Sequence, residues 1–246
     1  MSSYQALAAW YDQLTGDVPY EQFADLYESE FARCGGEFRL LLDLCCGTGT
    51  LTAEMARRGY EMIGADASVD MLMQARKKCS ALPVPPLFLC QSAAQLDLYG
   101  TVDAAYCSLD GMNYLPPRQL PELFRRLFLF IRPGGLFLFD VHLPEWFRSL
   151  DGKIFVDERD DLLCLWRADF DEMLGAVRYG MDLFERRGRL WARSGEEHVE
   201  YAHEPGALRA LLEGSGFSGV RFIRDCPQSD AGRLFLSAQR QEADHG

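Results

Sequence analysis

Two acidic residues stand at the ends of two apolar runs, with a glycine-rich turn between them. The first run, Leu40–Leu44, carries Asp43 near its end, and Gly47 and Gly49 follow it directly. The second run ends in Asp66. A carboxylate at a strand tip about 20 residues beyond a glycine turn can accept hydrogen bonds from both hydroxyls of a ribose. This spacing therefore predicts a nucleoside site.

The elements around the turn are predicted to be a buried strand followed by a helix. The continuous apolar residues of Leu40–Leu44 are typical of a parallel strand that is covered on both faces. Glycine permits the positive φ angles and the close backbone approach that such a turn requires. We expect Thr48 or Thr50 to cap a helix that begins near Leu51. Ligands of such sheets bind outside the carboxyl ends of the strands.

Two other interpretations of the turn are open. A tight strand-to-helix turn can exist without any ligand, although Asp66 at this spacing argues against that. A dinucleotide site of an NAD-dependent dehydrogenase would normally carry a third glycine or an alanine where this chain has Thr52. A β-branched side chain is expected to crowd the place of a pyrophosphate, which disfavours a dehydrogenase.

The pattern D-x-x-C-G-T-G-x-L-T over 43–52 resembles motif I of the class I S-adenosylmethionine-dependent methyltransferases. Residues 63–72, 103–115 and 127–140 resemble the second, fourth and fifth motifs of that family, and the opening residues 11–20 are similar to its bacterial small-molecule-type subgroup. The resemblance implies an α/β fold with a doubly wound, seven-stranded, mostly parallel sheet of Rossmann-like type. It also implies an enzyme with S-adenosyl-L-methionine as cofactor.

The family's cofactor-binding positions fall on lid tyrosines, the glycine loop, the second strand tip and the segments after the third and fourth strands. By resemblance they are Tyr11, Tyr20, Asp43, Cys45, Gly47, Thr48, Gly49, Asp66, Ala67, Ser68, Met71, Gln91, Ser92, Ala93, Leu109 and Asp110. Two positions depart from the family pattern. Cys45 replaces the first glycine, and Ser92 stands where an aspartate often accepts from the adenine amino group, so that Gln91 and the backbone are expected to contribute there.

Methyl transfer from a sulfonium needs a nucleophile held at about 3 Å in line with the breaking bond. A base is required only when that nucleophile carries a proton. Asp110, Tyr114 and His142 follow the fourth and fifth predicted strands and are the candidate catalytic residues. Each has a structural alternative, namely a turn cap, a core ring and a loop histidine. His198 and His203 are not expected to be catalytic.

The whole chain, 1–246, is expected to form one methyltransferase domain. A helical lid is predicted over 1–35, with one long helix over 6–33, and the Rossmann-like core over 36–150 and 204–240. Alternating apolar residues over 151–203 predict a small antiparallel β insert after the fifth core strand. The insert could cover the mouth of the active site, or pair with a second copy to give a homodimer.

Composition restricts the partners. The net charge of −12 argues against a nucleic-acid substrate, because proteins bind phosphate backbones through basic surfaces. No apolar run is long enough to span a membrane, no secretion signal is visible, and eight cysteines without zinc spacing predict a cytoplasmic protein without a metal. A small-molecule methyl acceptor is therefore the leading expectation. An RNA or protein methyltransferase and a non-catalytic cofactor-binding module are the alternatives.

Overall fold

Tyr4 and residues 7–241 are described in a computed structural model of the chain. Seven strands form one sheet in the order β10-β11-β5-β4-β1-β2-β3, and four form a second sheet in the order β6-β7-β8-β9. The strands are β1 Leu40–Leu44, β2 Glu61–Asp66, β3 Leu87–Cys90, β4 Val102–Cys107, β5 Ile131–His142, β6 Lys153–Arg159, β7 Leu162–Asp171, β8 Ala176–Arg187, β9 Leu190–Tyr201, β10 Phe217–Ile223 and β11 Arg233–Arg240. The helices are α1 Tyr11–Leu14, α2 Tyr20–Cys34, α3 Thr50–Arg57, α4 Val69–Cys79, α5 Leu120–Phe130, α6 Pro144–Ser149 and α7 Pro205–Gly214.

The larger sheet confirms the predicted fold. β1 lies in its centre and pairs in parallel with β2 and β4, so that the carboxyl ends of these strands meet at one edge. Only β11 runs antiparallel within the sheet, between β5 and the terminal strand β10. In this register Arg233 at the start of β11 lies opposite His142 at the end of β5. The chain thereby brings a cation from its last strand to the ligand-binding edge.

The capping prediction for α3 was wrong. Gly49 occupies the N-cap position with a φ of +71°, and no side chain caps the helix. The hydroxyls of Thr48 and Thr50 instead contact Asp12, at 2.6 Å and 3.3 Å, and Lys78 also lies against them. A left-handed glycine at the cap turns these hydroxyls away from the helix amides and toward the N-terminal segment.

The N-terminal segment is less regular than the predicted single helix. A short 3-10 helix, Leu7–Ala9, precedes α1, and residues 15–19 separate α1 from α2. Pro19 lies at the N-cap of α2, and the fixed φ of proline suits a chain that turns into a helix there. The break allows α1 to lie over the glycine loop while α2 packs its aromatic face on the larger sheet.

The second sheet is the predicted antiparallel insert after β5. All three of its strand pairs are antiparallel, and β8 pairs with β9 along its whole length. Its apolar face packs against Leu7 and the N-terminal aromatic residues, so the insert and the N-terminal segment support each other. The bounds of lid, core and insert stay predictions.

No helix among the described residues is both long and apolar enough to cross a lipid bilayer.

The contact between β4 and the start of β5 leaves no room for a side chain at Gly135. A Cβ atom there would lie 2.4 Å from the Asp103 carbonyl oxygen and 2.6 Å from Ile131 Cγ2. We expect Gly135→Ala to lower the free energy of unfolding by about 1–3 kcal/mol, because overpacking must be relieved by backbone movement. Urea unfolding would measure this. Gly100→Ala, where no atom lies within 4 Å, is the control, and equal losses in both variants would contradict the packing argument.

Candidate active site

A cavity of about 460 Å³ lies at the carboxyl ends of β1, β2 and β4. Most of the residues predicted from sequence line it: Tyr11, Tyr20, Asp43, Cys45, Gly47, Thr48, Asp66, Ala67, Ser68, Met71, Ser92, Ala93, Leu109 and Tyr114. Four predicted residues, Gly49, Gln91, Asp110 and His142, are not part of this lining. The sequence motifs that are far apart in the chain thus converge on one cavity.

Asp66 is fixed by backbone amides on both sides. Its Oδ2 accepts from the Gly47 amide at 2.9 Å, and its Oδ1 accepts from the Ser68 amide at 2.8 Å. Burial raises the pKa of Asp66, and these amide hydrogen bonds work in the opposite direction. Gly47 has a φ of +54°, and a Cβ there would meet no atom within 4 Å. The carboxylate and the bare glycine backbone therefore form one preorganised polar wall.

Asp43 lies deeper and depends on Thr52. The carboxyl group is buried, and its Oδ2 accepts from the Thr52 hydroxyl at 2.5 Å. Burial raises the pKa of Asp43 to about 7, and the hydrogen bond from Thr52 reduces that shift. Thr52 is itself fully buried beneath the loop, so its methyl group does not crowd the cavity as the sequence reasoning assumed. Its hydroxyl partners a buried acid.

The opposite wall is a loop held in an unusual backbone conformation. Leu109 and Asp110 have φ angles of +54° and +68°, in the left-handed region that non-glycine residues seldom occupy. Their amides donate to the two carboxylate oxygens of Asp140, at 2.9 Å and 3.3 Å. Asp140 is fully buried at the end of β5. This carboxylate therefore sets the shape of the loop whose Leu109 faces the cavity.

Arg233 neutralises the acids behind that loop. Its guanidinium contacts the Asp140 carboxylate and donates to Asp110 Oδ1 at 2.5 Å. Burial alone would raise the pKa of Asp110, but Arg233 and His142 outweigh it and hold that pKa below its usual value. His142 Nε2 lies 3.2 Å from both Asp110 Oδ1 and Arg233 Nη2, and its ring stacks on Trp146. Asp110 and His142 are brought together, but behind the cavity wall.

Tyr114 lies at the end of the cavity on this side. Its hydroxyl oxygen accepts from the Tyr4 hydroxyl at 2.5 Å, and the two rings are 5.7 Å apart. Tyr11 packs edge-on against Tyr4 at 6.1 Å. The tyrosine rings give this end of the cavity an aromatic wall with hydroxyl groups on it. Burial raises the pKa of Tyr114, so its hydroxyl keeps its proton at neutral pH.

The segment after β3 has divided roles. The Gln91 side chain bonds the backbone of Asp97 through both its oxygen (3.0 Å) and its nitrogen (3.2 Å). Ser92 faces the cavity, and its hydroxyl donates to Gln95 Oε1 at 3.2 Å. Gln91 thus shapes the segment, and Ser92 stays a predicted contact for the adenine ring.

Sequence reasoning missed three residues near the Tyr114 end of the cavity. Tyr4 lies in a segment without strong periodicity, and Arg233 opens a strand far from the other site residues in sequence. Glu200 is buried on β9. The alternation of Glu196, His198 and Glu200 along a predicted strand was a signal, since residues two apart share a face.

Among the residues that the structure describes, no group of three or more His, Cys, Asp and Glu side chains is arranged to hold a metal ion.

Comparison with known proteins identifies the family. A family model described as a methyltransferase domain matches residues 41–135. A putative methyltransferase of Bacillus subtilis is 31% identical over 97% of this chain and 98% of its own length. This chain belongs to the S-adenosylmethionine-dependent methyltransferases.

Solved structures share the fold of this methyltransferase. An S-adenosylmethionine-dependent methyltransferase from Clostridium acetobutylicum superposes with a TM-score of 0.82 at 23% identity, over 98% of this chain and 100% of that one. The sugar N-methyltransferase KedS8 from Streptoalloteichus also gives 0.82, at 20% identity, over 98% and 97% of the two chains. The β insert lies within the matched length in both cases.

The chemistry of the cavity fits the cofactor of this family. Carboxylates of Asp43 and Asp66 face it, and neither lysine nor arginine occurs among its described lining residues. A pyrophosphate would therefore lack a cationic partner there, whereas a sulfonium with ribose hydroxyls and an amino-acid tail matches acidic and amide groups. When bound, S-adenosyl-L-methionine supplies an activated methyl group.

The buried Asp43 carboxyl predicts a specific pH dependence of stability. Its pKa of about 7 in the folded protein, against 3.8 ordinarily, means that the folded state keeps a proton that the unfolded chain releases. This stabilising contribution is present below about pH 4 and is lost as the pH rises to about 7. Between these values the wild type should lose up to about 1.4 kcal/mol per pH unit more than Asp43→Asn.

Urea unfolding of both proteins across this range would measure the difference. Asp17→Asn, at an exposed position outside the cavity, is the matched control and should follow the wild type. Parallel curves for the wild type and Asp43→Asn would contradict the assignment.

Proposed function

We propose that this methyltransferase transfers a methyl group from S-adenosyl-L-methionine to a small molecule bound at the Tyr4–Tyr114 end of the cavity. One observation carries the proposal: a single cavity reaches from Asp66 and Ser92 at one end to Tyr4 and Tyr114 at the other. A cofactor and an acceptor can therefore lie end to end without solvent between them. Exclusion of water also strengthens each electrostatic contact inside.

The cofactor would be held by groups that the fold has already positioned. Asp66 would accept from the ribose hydroxyls, and Met71 and Ala93 would pack against the adenine. The Gly47 backbone and the Asp43 carboxylate would face the sulfur and the amino-acid tail, and Tyr20 would cover them. The protein's own contribution to catalysis is then orientation of the acceptor, since the methyl group is already activated.

A macromolecular acceptor is less well supported. The Tyr4–Tyr114 end is enclosed by the N-terminal segment and by the insert, which pack against each other. The net charge of −12 and the absence of lysine and arginine from the described lining do not suit a nucleic acid. KedS8, named as a sugar N-methyltransferase, shares both the fold and the insert. An amine on a small polar molecule is accordingly the first acceptor to test.

We expect Asp66→Asn to weaken binding of both S-adenosyl-L-methionine and its demethylated product by about 10- to 100-fold. A hydrogen bond to a charged group contributes about 1.5–3 kcal/mol, and the amide cannot accept from two hydroxyls in the same way. Titration calorimetry would measure both constants. Asp70→Asn, on α4 but outside the cavity lining, is the control. Wild-type protein that binds neither compound would refute the proposed function.

Turnover requires its own measurement. Radiolabelled cofactor would be incubated with the wild type and glucosamine, catechol or acetate, which present an amine, a hydroxyl and a carboxylate. Transfer of label to one of these classes supports a small-molecule acceptor. Tight cofactor binding together with label transfer only to RNA or to protein would favour the alternative acceptors.

We also propose that the insert forms a homodimer through its edge strand β6. β6 is an outer strand of the second sheet, and Ile154, Phe155 and Val156 are 65%, 42% and 59% exposed. An exposed apolar edge strand is a template for pairing with another chain. An antiparallel pairing centred on Phe155 would place Ile154 of one copy opposite Val156 of the other on one face, and the two Phe155 side chains opposite each other on the other face.

The charges flanking this apolar centre are self-complementary in the same register. With Phe155 on the two-fold axis, Lys153 of one copy lies opposite Asp157 of the other. Opposite charges on directly facing residues stabilise antiparallel pairs, and an isologous interface repeats each contact twice. The β6 edge of a second copy is therefore complementary in charge to this edge.

A charge exchange tests the register. Lys153→Asp should raise the dimer dissociation constant by about 5- to 30-fold, because two attractive pairs become repulsive. The double variant Lys153→Asp with Asp157→Lys restores opposite charges and should recover the wild-type constant. Sedimentation equilibrium would provide the constants. A wild type that is monomeric at all concentrations, or a double variant no better than the single one, would disprove this interface.

A cytoplasmic location is the last part of the proposal. All eight cysteines are free, and Cys79, Cys107 and Cys164 are buried in the core. Thiols persist in the reducing cytoplasm, where glutathione and thioredoxin keep them reduced.

A further inference from the structure

We propose that Tyr114 and Glu200 form a proton relay that removes the proton from the nucleophile of the methyl acceptor. The proposal rests on the proposed methyl transfer and adds to it the class of acceptor: one whose nucleophilic atom carries a proton, as in an ammonium or a hydroxyl group. It also gives the insert a chemical role, since Glu200 belongs to β9 and Tyr114 to the core.

One face of β9 is directed at the acceptor side of the cavity. Glu196, His198 and Glu200 share this face because side chains two apart on a strand point the same way. Glu196 accepts from the backbone amide of Tyr4 at 2.9 Å, and the His198 ring lies 4.6 Å from the ring of Tyr4. The His198 ring also meets Tyr114 edge-on at 6.0 Å. Glu200 is the next residue on this face.

Backbone pairing places Glu200 beside Tyr114. The Tyr201 amide donates to the Asn113 carbonyl at 2.7 Å, and the Asn113 side chain donates to the Tyr201 carbonyl at 2.9 Å. The neighbours of this pair, Glu200 and Tyr114, are therefore held side by side. The Glu200 side chain is nine-tenths buried or more, and its carboxyl group lies close enough to the Tyr114 hydroxyl for each to change the pKa of the other.

The hydrogen-bond directions suit a relay. Tyr4 donates to the Tyr114 oxygen, so the Tyr114 proton is available to the Glu200 carboxylate. The Tyr114 oxygen keeps a second lone pair, and its ring lines the cavity. A protic acceptor can therefore donate to Tyr114 while Tyr114 donates to Glu200.

The surroundings of Glu200 favour a strong base. Burial raises the pKa of Glu200, and the nearby Asp110 raises it further. Tyr114 and Arg233 on β11 act against this rise. Tyr179 on β8 also faces Glu200, but burial and that carboxylate raise its own pKa, so it stays neutral. A carboxylate with a raised pKa is a better proton acceptor than an exposed one.

The step balances in atoms and charge. The acceptor's nucleophilic atom bonds to the methyl carbon as the carbon–sulfur bond breaks, and that electron pair stays on sulfur. The nucleophile's proton moves to the Tyr114 oxygen while the Tyr114 proton moves to the Glu200 carboxylate. For an ammonium this transfer comes before the attack, because it frees the lone pair that bonds to the methyl carbon. Glu200 ends as a neutral acid and Tyr114 ends unchanged. Release of the proton to solvent after product release restores the carboxylate.

The first experiment follows Glu200 directly and needs no acceptor. Protein labelled with ¹³C at the glutamate carboxyl carbons would be titrated by NMR, with the Glu200 resonance assigned from its loss in Glu200→Gln. We expect this group to titrate well above the ordinary value of 4.5, and still higher in Tyr114→Phe, which lacks the donor to the carboxylate. An ordinary pKa, or one that Tyr114→Phe leaves unmoved, overturns the relay.

The second experiment compares rates with the panel compound that the wild type methylates. Glu200→Gln should lower kcat by about 10²- to 10⁴-fold, the range of general acid–base catalysis, and remove the fall in kcat at low pH. Its dissociation constant for S-adenosyl-L-methionine should match the wild type. Glu197→Gln, on the exposed opposite face of β9, is the control. An unchanged pH profile in Glu200→Gln overturns the relay.

The two proposals fail differently. A wild type that does not bind the cofactor disproves the proposed function. A wild type that binds and methylates acetate but no protic compound leaves the function intact and overturns the relay, because a carboxylate nucleophile has no proton to lose.

Discussion

The cavity wall that contains Leu109 depends on how one buried charge is compensated. Asp140 is fully buried at the end of β5, and an unpaired carboxylate there would cost several kcal/mol. Two amides of a left-handed loop and the guanidinium of Arg233 satisfy it. The loop conformation, the position of Leu109 in the cavity wall and the antiparallel placement of β11 are thus linked through a single side chain. Removing Asp140 or Arg233 would leave the charge of the other residue in an apolar interior without this partner.

Acidic side chains line the cavity or lie behind its wall, and each is compensated differently. Asp66 is held by amides, Asp43 by a threonine hydroxyl and Asp110 by Arg233, and Glu200 lies near the Tyr114 hydroxyl. Only Asp110 has its pKa held below the ordinary value; burial raises the others. A cationic sulfonium is attracted by such a site without a dedicated ion pair, because acidic groups outnumber the one arginine placed beside them.

The sequence was sufficient to predict the groups that lie close to their own strand tips. Apolar runs, the glycine turn and the spacing to Asp66 are local signals, and the larger sheet confirmed the fold that they indicated. Arg233 could not be found in this way, because it lies 93 residues from Asp140 and reaches it only through the pairing of β11 with β5. Thr52 was noticed for its size, whereas its function in the fold comes from its hydroxyl. Periodicity predicts which face a residue occupies, but it does not predict what covers that face.

The two sheets contribute different parts of the site. The larger sheet supplies the glycine loop and the strand tips that line the cavity, and no residue of the insert occurs among its described lining residues. The insert packs on the N-terminal segment and meets the core next to Tyr114, where the Asn113 side chain donates to the Tyr201 carbonyl and His203 lies 3.1 Å from the Met112 carbonyl oxygen. Side chains on β9 can therefore change without disturbing the glycine loop or the strand tips of the larger sheet. If the acceptor lies at the Tyr114 end as proposed, substitutions on one face of β9 would change its surroundings while the pairing between Tyr201 and Asn113 is kept.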